Sequence, residues 1–334
     1  MHAYGITKYK TSRVDSLELS DAQLGPEDVL VEVRSASVNP LDLMIARGEL
    51  KALLPYRLPL ALGHDVAGVV IAKGAGATRF DVGDEVFGRV RDGRIGTFAE
   101  RIAVHQEDLA VVPSGVDLMD AGALPLVSLT AWQVLVDVAN VQPGQKVLVH
   151  GGAGGLGSVV VQLAAHLGAD VTATCSGRDE QAVRSHGART VIDYRTSDFA
   201  ETVSGQDVVV DTVGGETLQK SMGVLVPGGI VVSVVGPPTA ATARQFRKPW
   251  LAPVLALVSR PVRSQARKLG VRYAFHFMHA DGARLAELAA LYRDGVLRPV
   301  VGHRYSFGQT SEAVALVADK KARGKVVIQR TPVG

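Results

Sequence analysis

Between Lys146 and Gly157 the chain reads KVLVHGGAGGLG, an apolar β-run that passes directly into a glycine turn, with a helical pattern following from Ser158 to Leu167. No other stretch restricts the fold so strongly. Gly152, Gly154 and Gly157 have the G-x-G-x-x-G spacing of a dinucleotide-binding turn. The first glycine allows a tight turn, the second lets the backbone approach a pyrophosphate, and the third lets helix and strand pack closely. The helix N-terminus then offers unpaired N–H groups and the positive end of its dipole to phosphates. The alternative is a glycine-rich loop that serves packing alone; the strand before it and the helix after it favour a nucleotide.

A chain of 334 residues with 47% hydrophobic composition is long enough for two domains, each with its own core. The 36 basic and 33 acidic residues leave a net charge of only +3, which is not the footprint of a nucleic-acid partner. The densest basic group, Arg260, Arg263, Arg267, Lys268 and Arg272, reads as the solvated face of a helix. The single cysteine, Cys175, excludes an intrachain disulfide and a multi-cysteine zinc site, and it fits a reducing compartment. Met1 to Lys10 lacks the apolar segment of a secretory signal. The apolar run Trp250 to Val258 contains a proline and is far short of the ~20 residues that span a bilayer. The expectation is a cytoplasmic protein with no stable membrane insertion.

From Met1 to about Gly122 short β-runs alternate with turns: Val29–Val33, Val66–Ala72, a turn-to-strand passage over Asp81–Gly88, and Phe98–Val104. This spacing suggests a twisted, barrel-like β domain. The pattern then changes. Ala123–Val138 is helical in period, and strands at Lys146–His150, Asp170–Cys175, Thr190–Asp193, Asp207–Asp211 and Ile230–Val235 alternate with helical segments, as in a parallel sheet covered on both faces. Arg244–Leu269 is a helical excursion broken by three prolines, expected to form a lid or side wall for a substrate pocket. A strand at Arg272–Met278 and a helix at Asp281–Arg293 follow. The tail from Val300 to Arg330 reads strand, helix, strand and is expected to pack back on the first domain.

In a nicotinamide-binding unit, an acidic residue at the end of the second strand selects NAD by binding the ribose 2′-hydroxyl. Here that place holds Thr174-Cys175-Ser176-Gly177-Arg178. A hydroxyl with a guanidinium suits a 2′-phosphate, so NADPH is the expected cofactor. Asp179 complicates the assignment unless it is a helix N-cap. Tyr194, past the third strand, is either a further phosphate ligand or a half-exposed surface tyrosine. Asp211-Thr212-Val213-Gly214-Gly215 and Val235-Gly236 end the next two strands, where ligands of such sheets lie. Lys325 is either a phosphate ligand or a solvated loop lysine.

Further motifs are Ser37-Val38-Asn39-Pro40-Leu41-Asp42, Gly63-His64-Asp65-Val66-Ala67-Gly68, Val82-Gly83-Asp84-Glu85-Val86 and Leu124-Pro125-Leu126-Val127-Ser128-Leu129-Thr130-Ala131-Trp132. With the glycine turn, these make the chain resemble the medium-chain dehydrogenase/reductase superfamily over nearly its whole length. Within it the chain is similar to the zinc-free quinone oxidoreductase branch, and most to the reticulon-4-interacting-protein-like NADPH oxidoreductases. That likeness rests on Cys175-Ser176, Val191-Ile192-Asp193-Tyr194, Asp211 to Gly215, Arg272 to Phe275, Leu297 to Val300 and Ala322 to Ile328. The resemblance implies an α/β fold: a GroES-like β-barrel catalytic domain over residues 1–121 and 297–334, and a Rossmann domain with a doubly wound parallel sheet over 122–296. It implies NADPH held by Ala153, Gly154, Gly155 and Leu156 at the pyrophosphate and by Ser176 and Tyr194 at the 2′-phosphate. Thr130, Asn39 and the strand reaching Phe277 would lie near the nicotinamide, and a homodimer is expected. Arg178 and Asp179 depart from the basic pattern of many relatives.

Zinc-dependent members use a cysteine, the histidine of a Gly-His-Glu and a third ligand. Here His64 stands in Gly63-His64-Asp65, Asn39 or a neighbour fills the cysteine position, and no metal is expected. Without a Lewis acid a simple ketone is a poor acceptor, whereas a quinone or an α,β-unsaturated carbonyl is already electrophilic at carbon. The expected activity is therefore NADPH-dependent reduction of such a small molecule. Tyr56, His64 and water are candidate proton donors, Asn39 is a candidate ligand of the carbonyl, and Val235, Phe277, Arg178 and Lys325 complete the candidate cofactor contacts. The alternative is a non-catalytic NADPH-binding sensor or scaffold, or a membrane-associated protein.

Overall fold

A computed structural model describes residues 1–331. The chain forms two compact units, Met1–Leu129 with the C-terminal stretch from His279, and Thr130–Met278. This division differs from the expected one at 121/122 and 296/297. The helix Gly282–Arg293 belongs to the first unit because it packs on the turn Gln106–Asp108 and the strand Leu109–Val111. Its Tyr292 hydroxyl meets Ser128 Oγ at 2.8 Å in the interior of that unit. The amphipathic period of a helix shows that it covers something, without marking which sheet.

The first unit holds a seven-stranded sheet in the spatial order Val301–Ser306, Lys325–Gln329, Asp28–Val38, Asp65–Lys73, Glu85–Arg89, Leu109–Val111, with Arg101–His105 also paired to Asp28–Val38. A second sheet of three strands has His2–Ile6 between Asp15–Glu18 and Leu60–Ala61. The tail does pack back on the first domain: Lys325–Gln329 runs antiparallel to Asp28–Val38, with Val326 opposite Val38. On the other side of that long strand, Ser37 is opposite Asp65. The registers therefore bring residues 37–39, 65 and 325 to one end of the sheet.

The second unit is a six-stranded parallel sheet in the order Thr190–Asp193, Asp170–Cys175, Lys146–Val149, Gln206–Asp211, Leu225–Ser233, Arg272–Phe275. In chain order this is 3-2-1-4-5-6, the doubly wound topology whose switch point lies beside the first strand. Leu148, Val209 and Val231, from its three central strands, are fully buried, and Val262, Ala266 and Val271 pack against the same cluster. Burial on both faces explains the near-continuous valine runs. All six strands point their carboxyl ends to one edge.

Three details differ from the sequence reading. The helix after the glycine turn begins at Gly155, three residues before Ser158. The strand placed at Ile230–Val235 spans Leu225–Ser233, and the helix before it, Gly215–Ser221, ends early to make room for it. The helix Pro40–Arg47 carries no long apolar period and is set by its ends: Asn39 and Asp42 form a capping box, Pro40 opens it and Gly48 closes it in the left-handed region. Among the described residues no helix is long and apolar enough to cross a membrane.

Candidate cofactor and active site

In the parallel-sheet unit the glycine turn takes its shape from two close approaches. Gly151, with φ +68, makes the left-handed step, so the tight turn falls one residue before the G-x-G-x-x-G spacing. A Cβ on Gly157 would lie 2.1 Å from the Gly151 carbonyl oxygen, so only glycine lets the helix start this near the turn. Gly154 is the N-cap, in extended conformation, and no side chain caps the helix Gly155–His166. The leading N–H groups around Gly155 and Leu156, with Ala153 just before them, are thus left for an anion.

The turn is anchored from below by side chains that the motif does not reveal. Thr174 Oγ1 accepts the Gly151 N–H at 3.3 Å, and the Thr174 carbonyl accepts the Gly152 N–H at 2.9 Å. His150, buried at the strand end, lies 3.1 Å from Thr174 Oγ1 through Nδ1 and 2.9 Å from Ser221 Oγ through Nε2. Ser221 donates its own proton to the Thr217 carbonyl at 2.6 Å, so Nε2–H donates to Ser221 and Nδ1 accepts from Thr174. Burial pushes the imidazole down to about 4 against the opposing pull of Asp211, which keeps it neutral. Asp211 in turn accepts the N–H groups of Val213 (3.0 Å) and Gly214 (2.8 Å) and the Ser233 hydroxyl (2.6 Å), tying the fourth strand end to the fifth.

Ser176 and Tyr194 follow directly on Cys175 and Asp193, which are paired in register on adjacent parallel strands. The second and third strand ends thus bring Ser176, Arg178 and Tyr194 to one neighbourhood. Ser176 is buried and its side chain makes no cap bond, whereas Tyr194 is 59% exposed. Arg178 is half-exposed, with Nε 3.6 Å from Asp179. Asp179 occupies the N-cap position of Glu180–Ser185 without a side-chain cap bond. Cys175, beneath them, is buried. Burial and the nearby Asp179 and Asp193 carboxylates push its thiol up to about 11, so it is no thiolate. Val235 is half-exposed past the fifth strand, its N–H 3.3 Å from Ser233 Oγ. Phe277 lies two residues past the sixth strand, edge-on to Phe246 at 4.9 Å, and its carbonyl accepts from Gln245 Nε2. Thr130 is buried in the helix Pro125–Trp132.

In the barrel unit the candidate residues form two linked groups. The first is a buried knot on Asp65. Its Oδ2 accepts from Ser37 Oγ (2.6 Å), Asn39 Nδ2 (2.9 Å) and Lys325 Nζ (3.2 Å), and its Oδ1 from the Leu126 N–H (2.7 Å). Lys325 also donates to Asn39 Oδ1 at 2.6 Å. Lys325 is 5% exposed at the start of a strand, so the solvated-loop alternative is wrong: strand pairing with Asp28–Val38 draws it inside. The second group is Asp42 and His64, both fully buried, with His64 Nδ1 donating to Asp42 Oδ1 at 2.6 Å. Among the described residues His64 Nε2 has no hydrogen-bond partner.

Tyr56 is held at three points. The Tyr9 hydroxyl donates to its carbonyl at 2.9 Å and accepts its N–H at 3.1 Å, while the Gly93 N–H donates to the Tyr56 hydroxyl at 3.3 Å. Burial, reinforced by Asp92 and opposed by the Gly93 bond, pushes this phenol up to about 12. It stays protonated, and with its oxygen accepting from Gly93 its proton points elsewhere.

This donor set does not fit a catalytic zinc. Every Asp65 oxygen is occupied by protein donors, one of them an ammonium, the Asn39 amide is committed to Asp65 and Lys325, and Cys175 lies inside the parallel sheet. Among the described residues no group of three or more His, Cys, Asp or Glu has metal-binding geometry.

Residues 25–114 match the family described as alcohol dehydrogenase GroES-like domain, and residues 186–328 the family described as zinc-binding dehydrogenase. The NAD(P)H oxidoreductase RTN4IP1 of Danio rerio, a protein named as mitochondrial, is 30% identical over 324 residues, covering 91% of this chain and 84% of that protein. The 2-methylene-furan-3-one reductase of Solanum lycopersicum is 32% identical over 345 residues, covering 99% of this chain and 80% of its own. Among solved structures, the quinone oxidoreductase of Coxiella burnetii superposes with a TM-score of 0.84 at 26% identity, covering 98% of this chain and 99% of that one.

Proposed function

The chain belongs to the medium-chain dehydrogenase/reductase superfamily, and from that premise we propose that it is an NADPH-dependent oxidoreductase that reduces quinones or α,β-unsaturated carbonyls without zinc. The observation that carries this reading is the commitment of both carboxylates near His64: Asp65 is saturated by Ser37, Asn39, Lys325 and the Leu126 N–H, and Asp42 accepts from His64 Nδ1 and the Asn39 N–H. With no metal to stabilise a carbonyl oxyanion, the acceptor must delocalise the incoming charge itself, as conjugated carbonyls do. The names of the tomato and Coxiella relatives, an enone reductase and a quinone oxidoreductase, support the same substrate class.

NADPH, when bound, supplies the hydride. The chain's own residues supply binding, orientation and a proton. Backbone N–H groups at Ala153, Gly155 and Leu156 receive the pyrophosphate, with Gly154, whose N–H donates to the Gly151 carbonyl at 2.9 Å, shaping the turn beside it, and Ser176, Arg178 and Tyr194 receive the 2′-phosphate. Thr130, Val235 and Phe277 are assigned to the nicotinamide end. Asn39 and Lys325, held in the buried knot on Asp65, are assigned to the barrel unit's side of the site, where they would reach the cofactor or the acceptor carbonyl only by exchanging one of those bonds. Tyr56, neutral with a free O–H, is our first choice of proton donor, and His64, oriented by Asp42, our second. We assign a homodimer, as the resemblance implies, and place its contact at the edge strand Arg272–Phe275; the lone buried cysteine supports a cytoplasmic location.

The test is NADPH oxidation with a panel of quinones and enones beside simple ketones, together with zinc analysis of the purified protein. We expect turnover of conjugated acceptors only, with zinc far below stoichiometric. Background rates across the panel, or stoichiometric zinc lost together with activity, would refute the reading. Tyr56→Phe is expected to lower kcat with an enone by about a hundredfold at unchanged NADPH affinity. An unchanged kcat removes Tyr56 from the mechanism and moves the assignment to His64.

A further inference from the structure

From Thr217 to Ala280 the chain carries nine lysines and arginines and not one aspartate or glutamate. Elsewhere the balance reverses, 27 basic against 33 acidic residues. Within this cationic stretch lies the seven-residue helix Ala252–Val258, APVLALV, in which every side chain is apolar and none is buried. Trp250 (67%), in the turn Pro249–Leu251 just before it, and Val254 (54%), Leu257 (67%) and Val258 (52%) are exposed large side chains, and at positions i, i+4, i+7 and i+8 they form one stripe. The following helix, Arg260–Lys268, turns Val262 and Ala266 into the core and leaves Arg260, Arg267 and Lys268 exposed. Ser259 links the two helices; buried, it donates to the Leu255 carbonyl at 2.7 Å and accepts from Arg263 Nε at 3.1 Å. The stripe and the cations thus belong to one helical corner.

We propose that this corner is a peripheral docking surface for an anionic phospholipid membrane. A tryptophan and branched aliphatics suit the headgroup boundary, and the flanking cations suit acidic headgroups. An interfacial helix lies in the plane of the surface, so its short length does not count against it. The charge run argues against a second copy of the chain, because two-fold pairing of this face would set cations against cations. It also argues against nucleic acid, since the stripe is aliphatic and offers one aromatic ring for stacking. This inference is independent of the substrate assignment.

Flotation of the full chain with vesicles tests it. The probes are phosphatidylcholine alone and phosphatidylcholine with about a third phosphatidylserine. We expect flotation and a blue shift of Trp250 emission with the mixed vesicles only, abolished in about 1 M salt, where the screening length is about 3 Å. Two separate variants, Val254→Ser/Leu257→Ser and Arg267→Glu/Lys268→Glu, should each weaken vesicle binding at least about tenfold while the thermal midpoint and the affinity for NADPH hold. Equal behaviour with both vesicle types, or binding that neither variant weakens, overturns the proposal. So does a fall in oligomer mass by light scattering on Val254→Ser/Leu257→Ser, which would assign the stripe to a partner copy.

Discussion

In the parallel-sheet unit, the groups we assign to a phosphate are backbone N–H groups of a few neighbouring residues at the start of the helix Gly155–His166. In the barrel unit, the polar centre is made of side chains from positions 37, 39, 65 and 325, joined only when three strands pair. The first is a local device. A strand, a left-handed glycine and an uncapped helix shape it within a dozen residues, and Thr174 from the next strand only braces it from below. The second is a non-local one, in which a buried carboxylate is tolerable only because a lysine almost at the other end of the chain arrives beside it.

The largest expected effect comes from breaking the non-local device. Lys325→Met leaves Asp65 buried without its cation and should cost about 3–5 kcal/mol in urea denaturation, tempered by the three donors that remain. A loss below about 1 kcal/mol would mean that the neutral donors alone carry Asp65. Next is the histidine behind the local device. His150 has a folded-state pKa of about 4, below its unfolded value, so the unfolded chain binds the proton more readily. Its contribution to stability is complete above about pH 6.5 and is lost as pH falls towards about 4, a change of about 3 kcal/mol. His150→Gln should flatten the slope of stability against pH in that window. An unaltered slope would show that the imidazole is not held neutral.

Gly157→Ala probes the close approach to Gly151. The added Cβ should cost about 2 kcal/mol and abolish tight NADPH binding, because the helix start must move. Retained binding by fluorescence titration would show that the turn tolerates a wider helix. Smallest is Arg178→Ala, expected to raise the KM for NADPH about tenfold while leaving that for NADH unchanged. Parallel changes with both cofactors would remove Arg178 from the 2′-phosphate site.

The same contrast explains what could be read in advance. The strand Asp170–Cys175 lies where its valine and threonine run places it, since a parallel strand covered on both faces is buried almost throughout, and the edge strand Thr190–Asp193, where only Ile192 is buried, follows from its β-branched run. Ser176 and Tyr194 were legible as strand-end residues because position relative to such a strand is itself a local property. Thr174 and Ser221, which fix His150 and the turn, carry no local signal: a hydroxyl in a strand or helix shows its role only when its partner is known. Lys325 was legible as a cation near the end of the chain, but not as a buried one, because burial depended on pairing with a strand nearly 300 residues earlier. The helix Gly282–Arg293 was legible as a helix and not as part of the barrel unit.

By itself, the sequence determined the glycine turn, the parallel sheet it introduces and a strand end without a carboxylate to select NAD, because backbone conformation and β-strand burial follow from short windows of residues. Only the tertiary structure decided that Asp65 is neutralised by Lys325 and hydrogen-bonded by Asn39, that His64 turns one nitrogen to Asp42, and that a stripe of the apolar helix Ala252–Val258 stays exposed. Each of those is a matter of which distant group arrives alongside. A pairing across hundreds of residues is fixed by the strand register and by what the core leaves over, and neither is encoded in any one segment.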